Sequence, residues 1–236
     1  MTNIYEGTIS KELAQKIKEL RDENPTVGID GLASNYGYIL SKKDGDRITY
    51  NILELNSILA YPKWFSTYTF NSAGDCIIGF ENADNKTGEN DKIEYTYGAI
   101  NERGCLVIEP SPEPLRFGRE STYIVGSPGK EGYRDMGTGR QITPIAFKKV
   151  YDFHDGLGRV ELDMDDNGNP MFGYVARDKT LFNTSDIQGY AIPPQFVSAS
   201  DFKNGIATVK ETLEDNEYCI DTKGKKIDNP KKILKR

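Results

Sequence analysis

Residues 152–162, "DFHDGLGRVEL", lie over residues 201–211, "DFKNGIATVKE", at a constant offset of 49. Phe153 meets Phe202, Gly156 meets Gly205, Leu157 meets Ile206 and Val160 meets Val209. A polar gap and a second strand-like segment follow each copy, "MFGYVARDKT" (171–180) and "EYCIDTKGKK" (217–226). A proline–aromatic signal precedes each, "ITPIAFKKV" (142–150) and "IPPQFVSA" (192–199). Fainter copies stand upstream in "YGAINERGCLVIEPSPEPLRF" (97–117) and "EGYRDMGTGRQITPIAF" (131–147). A glycine in the second segment recurs as Gly98, Gly132 and Gly173, with Tyr218 in the last copy, at spacings of 34, 41 and 45. The chain is a repeat whose copies differ by loop insertions.

A unit of about 40 residues with some three short strands cannot bury its own apolar face, so units must stack on neighbours. Alternation in "GIATVKE" puts Ile206, Thr208 and Lys210 on one face of a strand, and Ala207, Val209 and Glu211 on the other. The repeated phenylalanines are expected core anchors. Composition agrees: 23 Gly, 14 Tyr and 10 Phe in 236 residues, at 37% hydrophobic, favour short strands and glycine turns over a helical bundle. The expected fold is mainly β, built of repeats of short antiparallel strands, with a short N-terminal helix.

That helix is expected over residues 10–21, "SKELAQKIKELR", with Ser10 as N-cap. Leu13, Ala14, Ile17 and Leu20 would form its apolar face, Glu12 and Lys16 a side-chain pair, and Pro25 its stop. Its expected role is to cover a sheet edge. "YGYIL" and "RITYNIL" read as two strands joined through the Asp-Gly of "KKDG". "NSILAYPKWF" suits either a strand or a turn of helix, and "ENADNKTGENDKI" (81–93) an exposed loop. The organisation is thus an N-terminal region, 1–90, holding the helix and a hairpin or degenerate repeat. Repeats follow over 91–227, and a basic tail over 228–236.

The quoted segments give the consensus (aromatic)-G-Y-(I/V)-x-x-x-G, then I-P-P-x-F-x-x-A-x-D-F-x-x-G-(I/L)-A-x-V. This resembles the WG (KWG) repeat family of bacterial proteins, best over residues 151–227. The tryptophan that names the family is replaced by Tyr97, Glu131, Phe172 and Glu217. The resemblance implies β-rich modules that mediate interactions, and it brings no catalytic residues.

Few residues point to chemistry. "DMDDNGNPMFGY" places Asp163, Asp165, Asn167 and Gly168 at positions 1, 3, 5 and 6 of a calcium loop, but Tyr174 stands where the bidentate Glu belongs. A polar hairpin tip explains the same letters, and is the reading preferred here. His154, the one histidine, fills a variable slot matched by Lys203. "VGSPGKEG" has the wrong spacing for a phosphate loop. Cys76, Cys105 and Cys219 lie far apart with no CxxC spacing, as buried free thiols would. Trp64, Phe65, Tyr68 and Phe70 suit core packing better than base stacking. No catalytic, cofactor-binding or metal residue is assigned, and the partner-binding residues are not fixed by the sequence.

Charge gives the functional expectation. The formal net charge is −6, yet residues 223–236 hold seven basic residues and one acid, leaving 23 basic and 35 acidic residues, −12, in residues 1–222. Such a body repels phosphates and favours basic partner surfaces. A non-enzymatic protein-protein interaction module is expected, without cofactor, direct nucleic-acid contact or membrane. Two alternatives stay open: a phage- or immunity-type inhibitor of a nucleic-acid-handling enzyme, and a carbohydrate-binding or processing protein. The N-terminal residues lack a signal-peptide pattern, so a cytoplasmic location is expected.

Overall fold

A computed structural model describes residues 10–33, 37–54, 59–60, 63–81, 94–165, 167–178 and 189–227. Of the loop expected at 81–93, all but Glu81, which ends a strand, lies outside them, as does the tail 228–236. The chain packs as two compact units, one of Met1–Pro114 with Gly137–Gly139, the other of Leu115–Met136 with Arg140–Arg236. It is mainly β, in small antiparallel sheets that follow chain order. No described helix is long and apolar enough to cross a membrane.

In the first unit, helix α1 (Lys11–Glu23) begins where the Ser10 hydroxyl accepts the Leu13 N–H at 3.2 Å. It ends at Asn24, whose N–H returns to the Leu20 carbonyl one residue before Pro25. Leu13, Ile17 and Leu20 are buried, but Ala14 is exposed. Lys16 pairs with Glu19 at 3.4 Å, and not with Glu12. Glu12 instead accepts backbone and Ser10 hydrogen bonds at the helix start, which lower its pKa.

The helix covers a sheet face, not an edge. Strands β1 (Gly28–Ala33), β2 (Gly37–Asp44) and β3 (Arg47–Glu54) form the first sheet. Tyr38, Leu40 and Leu53 pack against the helix, while Ile39 and Ile52 join a core with Phe65 and with Cys76, Ile78 and Ile100 of the second sheet. That sheet is β4 (Thr67–Phe70), β5 (Cys76–Glu81), β6 (Tyr95–Ile100) and β7 (Leu106–Ser111). The β2–β3 hairpin turns through Gly45-Asp46, with Gly45 at φ +60° and Asp44 still paired with Arg47, one residue later than the expected Asp-Gly turn. The "NSILAYPKWF" stretch gives neither strand nor helix where it is described; Leu59 and Phe65 make isolated bridges to Leu53 and Tyr50.

The second unit holds three sheets. The first is β8 (Leu115–Phe117), β9 (Thr122–Ser127) and β10 (Lys130–Asp135). The second is β11 (Lys149–His154), β12 (Leu157–Leu162), β13 (Met171–Ala176) and β14 (Tyr190–Phe196). The third is β15 (Ser198–Ala199), β16 (Ile206–Lys210), β17 (Tyr218–Asp221) and β18 (Lys226–Ile227). Four-stranded sheets thus exceed the three strands expected per repeat.

The overlaid segments fold alike. Asp155-Gly156 and Asn204-Gly205 form two-residue turns with positive φ at both positions, 54° and 77°, then 54° and 76°. Phe153 and Phe202 are buried against Tyr133 and Tyr174, with ring centroids 4.5 and 4.8 Å apart. In β16, Ala207 and Val209 point into the core.

Among the described residues, a second device recurs four times across both units. Asn71, Asn101, Asp165 and Asp221 each start a five-residue turn with Gly in fourth place. In each, the side-chain oxygen accepts the N–H groups two and four residues on, at 2.8 to 3.0 Å. This turn supplies from one short side chain the acceptors that a tight reversal lacks.

The glycine column has a steric cause. A Cβ at Gly173 would meet Pro194 N at 2.8 Å and Ile192 O at 2.9 Å, one at Gly132 Pro144 O at 2.4 Å, and one at Gly98 Ile108 O at 2.8 Å. The proline-bearing segment after each column strand crosses its glycine too closely for a side chain, and the ladder shifts register at Gly98 and Gly173.

The thiols differ from one another. Cys76 is buried, Cys219 half-buried and Cys105 exposed, so the expectation of three buried thiols fails at Cys105, which ends a surface turn.

Gly173→Ala is expected to destabilise the chain by about 1–3 kcal/mol, since the obstructing atoms are backbone. Equilibrium urea unfolding reads this directly, and an unchanged midpoint would contradict the steric explanation.

Candidate interaction surface

Three contacts join successive sheets of the second unit, and each occurs twice on backbone groups at equivalent positions, although Arg116 reaches from β8 and Arg159 from β12. The Tyr133 hydroxyl donates to the Tyr151 carbonyl, and the Tyr174 hydroxyl to the Ser200 carbonyl at 2.7 Å. Arg116 donates to the Val150 carbonyl at 3.4 Å, and Arg159 to that of Ala199. Glu120 accepts the Gly156 N–H at 3.2 Å, and Asp155 that of Gly205 at 2.8 Å. The accepting or donating backbone groups at 150, 151 and 156 recur at 199, 200 and 205, the same offset of 49 seen in the sequence. Burial raises the pKa of both tyrosines, so the hydroxyls stay protonated donors.

The two arginines also engage the positions where the named family has its tryptophan. Arg116 bonds both carboxylate oxygens of buried Glu131 at 3.1 Å, and Glu131 further accepts the Val150 N–H at 2.8 Å. Arg159 lies 3.7 Å from the Tyr151 ring centroid and 5.6 Å from that of Phe172, and its Nε donates to Asp201 at 2.9 Å. At each of these positions an arginine links a carboxylate or an aromatic ring to the next sheet.

These frames carry two loops at one repeat position. The β12–β13 loop contains "MDDN" (164–167) and the β16–β17 loop "LEDN" (213–216), again 49 apart. Met164 is 61% and Leu213 65% exposed, two of the most exposed large apolar side chains described. All seven residues of "ETLEDNE" (211–217) are exposed, and four are acids. The overlay stops at Leu162 and Glu211, two residues short of this correspondence; extending it reveals the apolar tips.

The second loop has internal order. The Thr212 N–H donates to Asp215 at 3.0 Å, and the Lys210 ammonium to the Leu213 carbonyl at 2.6 Å. The Tyr218 hydroxyl donates to Glu211, and the Lys226 ammonium sits 4.5 Å from the Tyr218 ring centroid. Glu211, Asp215, Asn216, Tyr218, Gly224 and Lys226 line an open cavity of about 480 Å³. Partial burial, then the hydrogen bond and charge of Glu211 and the charge of Asp215, push the Tyr218 phenol up to about 12.

The other sequence candidates fall elsewhere. Asp165 accepts the N–H groups of Asn167 and Asn169 and the Asn169 amide, and these bonds lower its pKa. Its place in the recurring turn accounts for the calcium-like letters. Asp163 and Asn167 are exposed beside it, and among the described residues no three His, Cys, Asp or Glu side chains gather as metal ligands. His154 ends β11, paired with Leu157. Phe65, Tyr68 and Phe70 stack edge-on in the first unit's core, at centroid distances of 6.1 and 5.8 Å. The Pro128-Gly129 of "VGSPGKEG" makes the β9–β10 hairpin turn, Gly129 at φ +95°.

Small antiparallel sheets joined by recurring contacts define a β-repeat module. Residues 135–163 and 189–212 match the family model described as the WG containing repeat, so the chain carries WG repeats in these segments. No curated protein sequence matches the chain. Among solved structures, a eukaryotic initiation factor aligns at a TM-score of 0.40 and 10% identity, covering 86% of this chain and 54% of its own. An uncharacterized protein from Listeria monocytogenes EGD-e aligns at 0.33 and 12% identity, covering 86% and 65%.

Glu211→Gln is expected to bring the Tyr218 phenol part of the way down from about 12, because partial burial remains. A folded pKa raised above the unfolded value near 10 gives stability that is present below pH 10 and is lost as pH rises through the folded value. The tyrosine ¹³Cζ shift followed against pH reads the titration; an unmoved midpoint would remove Glu211 as a cause.

Proposed function

We propose that the protein is a non-enzymatic interaction module that binds a protein partner with a basic surface through the acidic, apolar-tipped loops of its β-repeats. The supporting observation is the recurrence of an exposed Met164 and Leu213 among carboxylates at one repeat position. Carboxylates steer a basic partner into place, and an apolar side chain that becomes buried on contact supplies short-range attraction. The −12 balance of residues 1–222 extends that field beyond the loops. An inhibitor occupying the basic channel of a nucleic-acid-handling enzyme is the narrower form of this reading.

The test is capture of partners by the tagged full chain from nuclease-treated cytosol at low and high salt, alongside the double variant Met164→Ser/Leu213→Ser. A basic protein retained at low salt, released at high salt and weakened about tenfold by the variant is expected. Capture indifferent to both salt and the variant would refute the proposal. A captured nucleic-acid enzyme whose activity falls on binding would select the inhibitor form.

A further inference from the structure

The first unit contains a second cavity, of about 400 Å³, independent of the acidic loops. Its walls are held by backbone bonds. Tyr50 and Phe65 exchange N–H···O bonds at 2.8 and 2.9 Å, and the Ser66 N–H reaches the Gly79 carbonyl at 2.7 Å. The Asn51 side-chain amide reaches the Lys63 carbonyl at 3.2 Å. A site fixed in this way needs little ordering when a ligand arrives.

Two aromatic residues, Trp64 and Phe80, line it beside Ser66, Thr96, Glu81 and Lys63. Trp64 is half-buried: it packs against the core beneath the helix and lies 5.0 Å from the Lys42 ammonium, and its remaining surface faces the cavity. The Ser66 oxygen accepts the Glu81 N–H at 3.1 Å, a bond that leaves the hydroxyl proton to donate. Arg47 holds Glu81 Oε1 at 2.8 Å and fixes the carboxylate, whose side chain is 17% exposed. Hydroxyls and a carboxylate thus stand beside aromatic surface, in a volume within the range of about 300–1,000 Å³ usual for ligand sites.

We propose that this cavity binds a neutral, hydroxyl-rich ligand of one or two sugar rings. The rings offer a platform for the apolar C–H face of a sugar, and the hydroxyls, carboxylate and ammonium offer donors and acceptors for its rim. Of the two lining charges, Glu81 is already paired with Arg47, which leaves the single ammonium of Lys63. A phosphate ester would meet one lysine opposed by a carboxylate, and a purely apolar ligand would strip water from polar groups without replacing their hydrogen bonds.

Trp64 is the only tryptophan in the chain, so its emission reports on the cavity. The full chain is titrated with cellobiose, maltose and chitobiose, with AMP as the charged aromatic contrast. The same sugars immobilised as glycans separate a free saccharide from the end of a glycan chain, and binding in either arm supports the proposal. A saturable emission change with at least one sugar is expected, weakened about tenfold by Glu81→Gln, which removes a charged acceptor. Thr96→Val, which leaves the Arg47 pair untouched, is expected to weaken it in the same direction. No saturable change with any sugar, saturation by AMP alone, or sugar binding unaffected by both variants would overturn the proposal.

Discussion

A buried tyrosine hydroxyl donating to the backbone of the next sheet is the contact on which the repeat array of the second unit depends. An antiparallel sheet of three or four short strands leaves one face to be covered, and the neighbouring sheet covers it. Apolar packing alone would let the sheets slide, because dispersion and burial are non-directional. The bond from Tyr174 to the Ser200 carbonyl, with its counterpart from Tyr133 to Tyr151, fixes the register. The arginine and carboxylate contacts on either side then reuse the same backbone positions 49 residues apart.

That register explains why some residues repeat and others drift. Gly132 and Gly173 must be glycine because a proline segment passes over them, and the turn pairs Asp155-Gly156 and Asn204-Gly205 must accept positive φ. The position beside the column glycine is freer. Glu131 serves there by binding Arg116, and Phe172 by lying under Arg159. Two unlike side chains meet one need, to hold an arginine that reaches the following strand.

Much of this frame was legible in the sequence, since it is written in residues with few substitutes. The offset of 49, the buried Phe153 and Phe202 and the Ser10 cap all follow from local chemistry. The bonds between sheets were not legible. Tyr174 and Ser200 are 26 residues apart, and nothing local distinguishes a tyrosine that donates across a sheet from one that only fills space. The helix misled on its neighbour, because an apolar stripe specifies that something covers it and not whether that is an edge or a face. Met164 and Leu213 passed unnoticed for a related reason: exposed apolar residues look like core residues until burial is known.

Equilibrium unfolding of Tyr174→Phe tests the central contact with the least disturbance, because the ring remains against Phe202 and only the hydroxyl is lost. Leaving the Ser200 carbonyl without its donor is expected to lower the unfolding free energy by about 1–3 kcal/mol. A change within about 0.5 kcal/mol, the range of an ordinary surface substitution, would mean that packing alone holds the sheets in register.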